Sequence, residues 1–196
     1  MARRGSDKTI SRLQERAEAV RVAHAERDAA FAEVINRRDE GDPRTRRWRD
    51  AIQRFRVALD LAYPGTLREV EEGERAIGTM HVADILEYLA ADPMHFRSGY
   101  IKQRLLREIK KRDLEPAHVR LLQDVVLHVV RSRSCREFRD YCRAAARVDD
   151  TRLRLALEEI VASGSADARQ RGRWLIGALD RAVSTRAGEA KQRTAR

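Results

Sequence analysis

Aromatic residues make up only 5% of this 196-residue chain, and proline, cysteine and lysine are scarcer still. Each shortage excludes something. Runs of β-branched and aromatic residues are few, so strands have little to be built from. With four prolines, long stretches have no helix breaker. The two cysteines, Cys135 and Cys142, fall two turns apart on one face of an expected helix, too far from each other for a disulfide. Reduced thiols are expected instead. No stretch reaches the roughly 18 apolar residues of a membrane span. Met-Ala-Arg-Arg-Gly-Ser at the start leads into charged sequence rather than an apolar signal region, and a cytoplasmic location is expected. The ten glycines are scattered, with no GxGxxG, Walker-type loop or GxSxG elbow among them.

What is abundant is alanine, leucine, glutamate and above all arginine, all good helix formers. Charged residues reach 37% and apolar ones 42%, the mixture of helices with one dry and one wet face. The formal charge is +10, and Lys8, Lys102, Lys110, Lys111 and Lys191 are the only lysines among 41 basic residues. Such a balance points to an acidic partner or a polyanion. Arginine is also the better fork for carboxylate and phosphate.

The periodicity is helical throughout. Ser6 or Asp7 is the expected cap of a long first helix reaching about Arg38, with a narrow apolar stripe from Ile10 to Val34 that offers a seam for a homodimer. Asp42-Pro43 opens a second helix, with Trp48, Ala51, Ile52, Phe55, Leu59 and Ala62 as its buried face, and Tyr63-Pro64-Gly65 ends it. Residues 1–65 therefore read as an antiparallel hairpin. Shorter helices follow. Thr66-x-x-Glu69 and Ser134-x-x-Glu137 have the form of capping boxes, and Gly78 of a helix stop. Asp92-Pro93 ends the helix of Val82, Ile85, Leu86 and Leu89. Pro116 and then Asp149 or Asp150 open later ones, Ser163-Gly164 closes the penultimate, and Trp174, Leu175, Leu179 and Ala182 mark the buried face of the last. Residues 184–196 are polar and basic and read as a flexible tail.

Helices starting near Thr79, Pro116 and Asp150 recur every 37 and 34 residues, each followed by a partner helix. Helical pairs at that period are the signature of an α-solenoid. Ala168-Arg169 with Gly172 and Gly177 resembles the second helix of a HEAT repeat, and Asp92-Pro93 resembles that family's Asp-Pro turn. The resemblance covers about 79–182 and is one of architecture, without a specific family. It implies an all-α fold in which the hairpin precedes a HEAT-like superhelix over 66–183. An irregular helical bundle is the alternative.

Chemistry-bearing groups are sparse. Asp92-Pro-Met-His95 and Glu115-Pro-Ala-His118 have the carboxylate-to-imidazole spacing used in di-iron bundles, yet each carboxylate stands where a helix cap is expected, and no metal site is assigned. His24, His81 and His128 are isolated in sequence and read as ordinary helix residues. No cofactor or catalytic residue is assigned, and the protein reads as a non-enzyme.

Charge is unevenly placed. Residues 66–92 carry a net charge of −5 and residues 97–147 a net charge of +8. Arg136, Arg139, Arg143 and Arg147 share one stripe, and Arg104, Arg107, Lys110 and Lys111 another, opposite Ile101, Leu105 and Ile109. Side by side, the two would form a basic surface. Arg44, Arg46, Arg47 and Arg49, with Arg54 and Arg56, form a second cluster on the hairpin. The sequence thus points to a non-enzymatic binding or scaffold module for an acidic protein or assembly, with no membrane partner. Non-specific binding of nucleic-acid phosphate is the alternative, and a glycosylase-like enzyme on the same architecture ranks third.

Overall fold

The structure, a computed structural model, describes the backbone of residues 2–34, 39–73 and 75–194, and the side chains of 8–34, 39–73, 75–185 and 187. Among the described residues it is all helical: α1 (Ala2–Ala32), α2 (Pro43–Ala62), α3 (Gly65–Glu71), α4 (Val82–Ala91), α5 (Ser98–Ile109), α6 (Pro116–Ser132), α7 (Phe138–Ala145), α8 (Thr151–Ser163) and α9 (Ala166–Thr194), with one 3-10 turn at Ile77–Thr79. None of them is long and apolar enough to cross a membrane. The chain forms two compact units, Met1–Gly99 and Tyr100–Arg196.

In the first unit α1 packs on both α2 and α4. Arg54 pairs with Glu26 at 3.3 Å and Arg47 with Glu33 at 3.2 Å, so a step of seven residues up one helix is matched by seven down the other, the register of an antiparallel hairpin. Val20, Ala23, Phe55 and Ala62 form its core. Asp42 caps α2, its carboxylate accepting the Arg44 amide at 2.8 Å, with Pro43 in the first turn. α4 joins the hairpin through its buried Ile85, Leu86 and Leu89 and through Gln14, whose amide donates to the Ala91 carbonyl at 3.3 Å. The expected division after residue 65 is therefore displaced to residue 99, because α4 packs on α1.

Several local expectations are corrected. Backbone helix begins at Ala2, ahead of Ser6 and Asp7, and the expected end of α1 near Arg38 lies outside the described residues. α3 starts at Gly65 with Pro64 at its cap position, so Thr66 lies inside the helix rather than capping it. α3 ends at Glu71, and Gly73, at φ +80°, makes the turn in the left-handed region. Gly78 stops no helix but sits in the 3-10 turn. α7 begins at Phe138, four residues beyond Ser134, with no side-chain cap. Trp48 is only half-buried, and Trp174 is 54% exposed where a core residue was expected. Backbone helix also continues to Thr194, past Ser184, where composition pointed to fraying.

In the second unit α6 packs on α7, α8 and α9, and α9 packs on α7 and α8. Asp150 caps α8 by accepting the Leu153 amide at 2.9 Å. The close approach of α8 and α9 depends on Gly172: a Cβ there would stand 2.9 Å from Val161 Cγ2. Arg171, only 6% exposed, donates to the carbonyls of Val130 at 2.8 Å and Arg131 at 3.3 Å. A guanidinium at the C-terminal end of α6 satisfies carbonyls that have no intrahelical donor and meets the negative end of the helix dipole.

Candidate functional site: a basic face on the second unit

The arginine stripes of α5 and α7 meet at Asp140. Its carboxylate is 4% exposed and accepts hydrogen bonds from Gln103 at 2.8 Å, Arg107 at 3.2 Å and Arg143 at 3.4 Å. Burial acts against the charged form, but the bonds from Gln103 and Arg107 and the charges of Arg107 and Arg143 outweigh it and hold the carboxyl below its usual range. Asp140 thus ties one arginine from each stripe to a common anchor. Both arginines stay about half exposed, at 50% and 47%.

Other basic residues of this unit have partners of their own. Lys111 reaches the Glu108 carboxylate at 3.4 Å, and Arg112 reaches it at 2.8 Å. Arg136 lies over the Tyr100 ring, 4.4 Å from its centroid, and also donates to the Tyr100 hydroxyl. Arg104, Arg139 and Arg147 are exposed, and Lys110 is half-buried. Arg139 and Arg147 form no ion pair among the described residues, which leaves their charge outward.

The hairpin arginines are differently placed. Arg44 pairs with Asp42 at 2.9 Å, Arg47 with Glu33 at 3.2 Å and Arg49 with Glu40 at 2.9 Å, while Arg46 donates to the Gly41 carbonyl at 3.2 Å. Their charge is largely answered within the hairpin, which makes this second cluster a poorer anion surface than the face on α5 and α7.

Four contributors escaped the sequence pattern. Tyr100 stands 51% exposed at the end of the face, and Trp174 of α9 stands outward against Phe138, their ring centroids 6.5 Å apart. From α9 come the exposed Arg173 and Arg181, the latter close enough to Cys142 to oppose the upward push of burial on its thiol, which nonetheless rises to about 11. The signal for Trp174 was available: with Leu175 and Leu179 taking the dry face of α9, Trp174 and Arg173 fall beside it. Cys142 is buried and Cys135 half-buried ahead of α7, and both are free thiols.

No match to a family model, a curated protein or a solved structure accompanies this geometry.

Neither acidic residue of the two acidic-x-x-His segments caps a helix with its side chain. Asp92 closes α4 in a left-handed conformation, at φ 42°, and Glu115 precedes α6 without a side-chain cap bond. His95 Nδ1 bonds the Phe96 carbonyl at 3.0 Å, so it carries the proton, and Nε2 faces the Tyr88 hydroxyl at 3.3 Å. A metal would have to displace one of these bonds. Among the described residues no group of three or more His, Cys, Asp or Glu side chains is placed to hold a metal. His24, isolated in sequence, is not isolated in space: its ring stacks on Phe96 at 5.2 Å and meets Phe55 edge-on at 5.2 Å.

Proposed function

We propose that this protein is a non-enzymatic binding module that engages an acidic protein through the basic face of its second unit. The observation that carries the reading is the Asp140 knot, which brings Arg107 and Arg143 of two helices together into one surface. Arginine, tyrosine and tryptophan are the residues that dominate binding energy at protein interfaces. Here Arg136 on Tyr100, together with Trp174, supplies all three at the edge of the charged field. The field steers an acidic partner, and the aromatic edge gives it purchase. The scaffold beneath is, in this reading, a short HEAT-like stack: α6 meets α8 and α7 meets α9, first helix on first and second on second. The protein works in the cytoplasm, where its two thiols stay reduced.

The test is co-purification from nuclease-treated extract with the wild type and with a variant carrying Arg136, Arg139, Arg143 and Arg147→Gln. A discrete acidic protein should accompany the wild type, leave it as salt rises, and be missing from the variant. The same set of proteins on both baits would overturn the assignment.

A second reading, phosphate-backbone binding of single-stranded nucleic acid, is favoured by the two outward rings, since bases stack on exposed aromatics beside arginine. It predicts an affinity for labelled oligonucleotides that falls steeply with salt and drops with the same four substitutions. No binding at low salt would dismiss it.

A further inference from the structure

Within the first unit, the two helices of the hairpin leave an open cleft of about 450 Å³. In a chain with four phenylalanines and two tryptophans, Phe31, Trp48 and Phe55 all line this one cleft, and Phe96 backs Phe55 at 5.6 Å. The concentration has a structural origin. Arg27 and Phe31 stand one turn apart on α1, and Trp48, Ile52 and Phe55 follow one stripe of α2, so the antiparallel register sets the two groups opposite each other.

The cleft is held in shape from behind. Phe55 is its floor, 6% exposed, with the His24 ring edge-on at 5.2 Å. The Arg27 guanidinium lies over the Phe55 ring at 4.7 Å and is fixed there by Asp28 at 2.6 Å and by His24 Nε2 at 2.9 Å. Trp48 meets Phe31 at 5.5 Å with a tilt of 47°, and Phe31 remains 38% exposed. Aromatic rings are thus ordered without being covered.

The charge at the rim is selective. Asp28 answers Arg27, whereas the exposed Arg56 forms no ion pair among the described residues. One positive charge is left uncompensated beside an aromatic slot. We propose that this cleft binds a small aromatic monoanion, a planar ring system carrying one carboxylate or sulfonate. The volume falls in the range of small-ligand sites, which are mostly apolar with a few fixed polar groups. Rings of the ligand stack against Trp48 and Phe31, and its anionic group takes the planar fork of Arg56. A second negative charge is disfavoured by the Asp28 carboxylate on the same rim, and a cation by both arginines.

The probe is anilinonaphthalenesulfonate, an aromatic monoanion that fluoresces when shielded from water. In Trp174→Phe protein, Trp48 is the sole tryptophan and serves as energy donor. Saturable binding should quench Trp48 in step with the rise in probe emission. Arg56→Glu should weaken it about five- to tenfold, with an unchanged circular dichroism spectrum because Arg56 is exposed. Phenylnaphthylamine, the uncharged analogue, should bind more weakly and ignore Arg56→Glu. The Arg136, Arg139, Arg143 and Arg147→Gln variant should bind the probe as the wild type does, which separates this site from the basic face. Saturation without quenching of Trp48, equal affinity in Arg56→Glu, or loss of the probe from the four-glutamine variant would each overturn the assignment.

Discussion

Asp140 concentrates the electrostatics of the second unit in one carboxylate, flanked in sequence by Arg139 and three residues before Arg143. Its folded-state pKa lies below that of an exposed aspartate. The stability it contributes is therefore present above the ordinary carboxylate pKa, about 4, and is lost as pH falls through the lowered value. Asp140→Asn should cost about 1–3 kcal/mol near neutral pH and flatten the fall of melting temperature below about pH 4. A thermal-melt series of both proteins across acid pH checks this, and parallel curves would show that the knot contributes nothing. Gly172 makes the opposite kind of demand. Gly172→Ala gains about 0.5–1 kcal/mol of helix propensity, but its methyl would stand 2.9 Å from Val161 Cγ2, whose β-branched side chain cannot turn aside in a helix, so a net loss of roughly 1 kcal/mol is expected. Gly172→Leu has no room between α8 and α9 and should lose about 1–3 kcal/mol, measured by urea unfolding.

Among the elements, what could be read from sequence depended on who claims each carboxylate. Asp42-Pro43 and Asp150 were legible as helix starts, because their carboxylates accept backbone amides one turn ahead. The two capping boxes were misread for a shared reason. Glu69 is taken by Arg75 at 2.6 Å and Glu137 by Arg133 at 3.3 Å. In a chain this rich in arginine, a glutamate finds a guanidinium before it finds a backbone amide, and the box pattern loses its meaning. The contrast is testable by melting: Asp150→Ala should cost about 1 kcal/mol, whereas Thr66→Ala and Ser134→Ala should stay within about 0.5 kcal/mol of the wild type. Comparable losses at all three would restore the capping boxes. Spacing between helix starts was also legible, with α4, α6 and α8 opening at Val82, Pro116 and Thr151. The boundary between units was not, since the packing of α4 on α1 is a long-range contact that no local pattern records.

For the whole molecule, net charge pointed to a partner of opposite sign, but not to which arginines face it. Sequence periodicity put Arg104, Arg107, Arg136, Arg139, Arg143 and Arg147 on wet faces, yet it was blind to Asp140 as the junction and to Trp174 and Tyr100 as outward rings. Nor did it record that Asp42, beside Arg44, and Glu33 and Glu40, farther back in the chain, answer Arg44, Arg47 and Arg49 on the hairpin. Changing Arg136, Arg139, Arg143 and Arg147 to glutamine should therefore weaken binding of the acidic partner roughly ten- to hundredfold and reduce its salt dependence, while lowering the melting temperature less than Asp140→Asn does, because Gln103 and Arg107 still donate to Asp140. The most direct measurement is site-specific photo-crosslinking in nuclease-treated extract, with the reactive group placed at Arg139 on α7 or at Arg46 on the hairpin. A single acidic protein should be captured from position 139 and none from position 46. Capture from position 46 alone, or from neither, would contradict a binding role for the basic face.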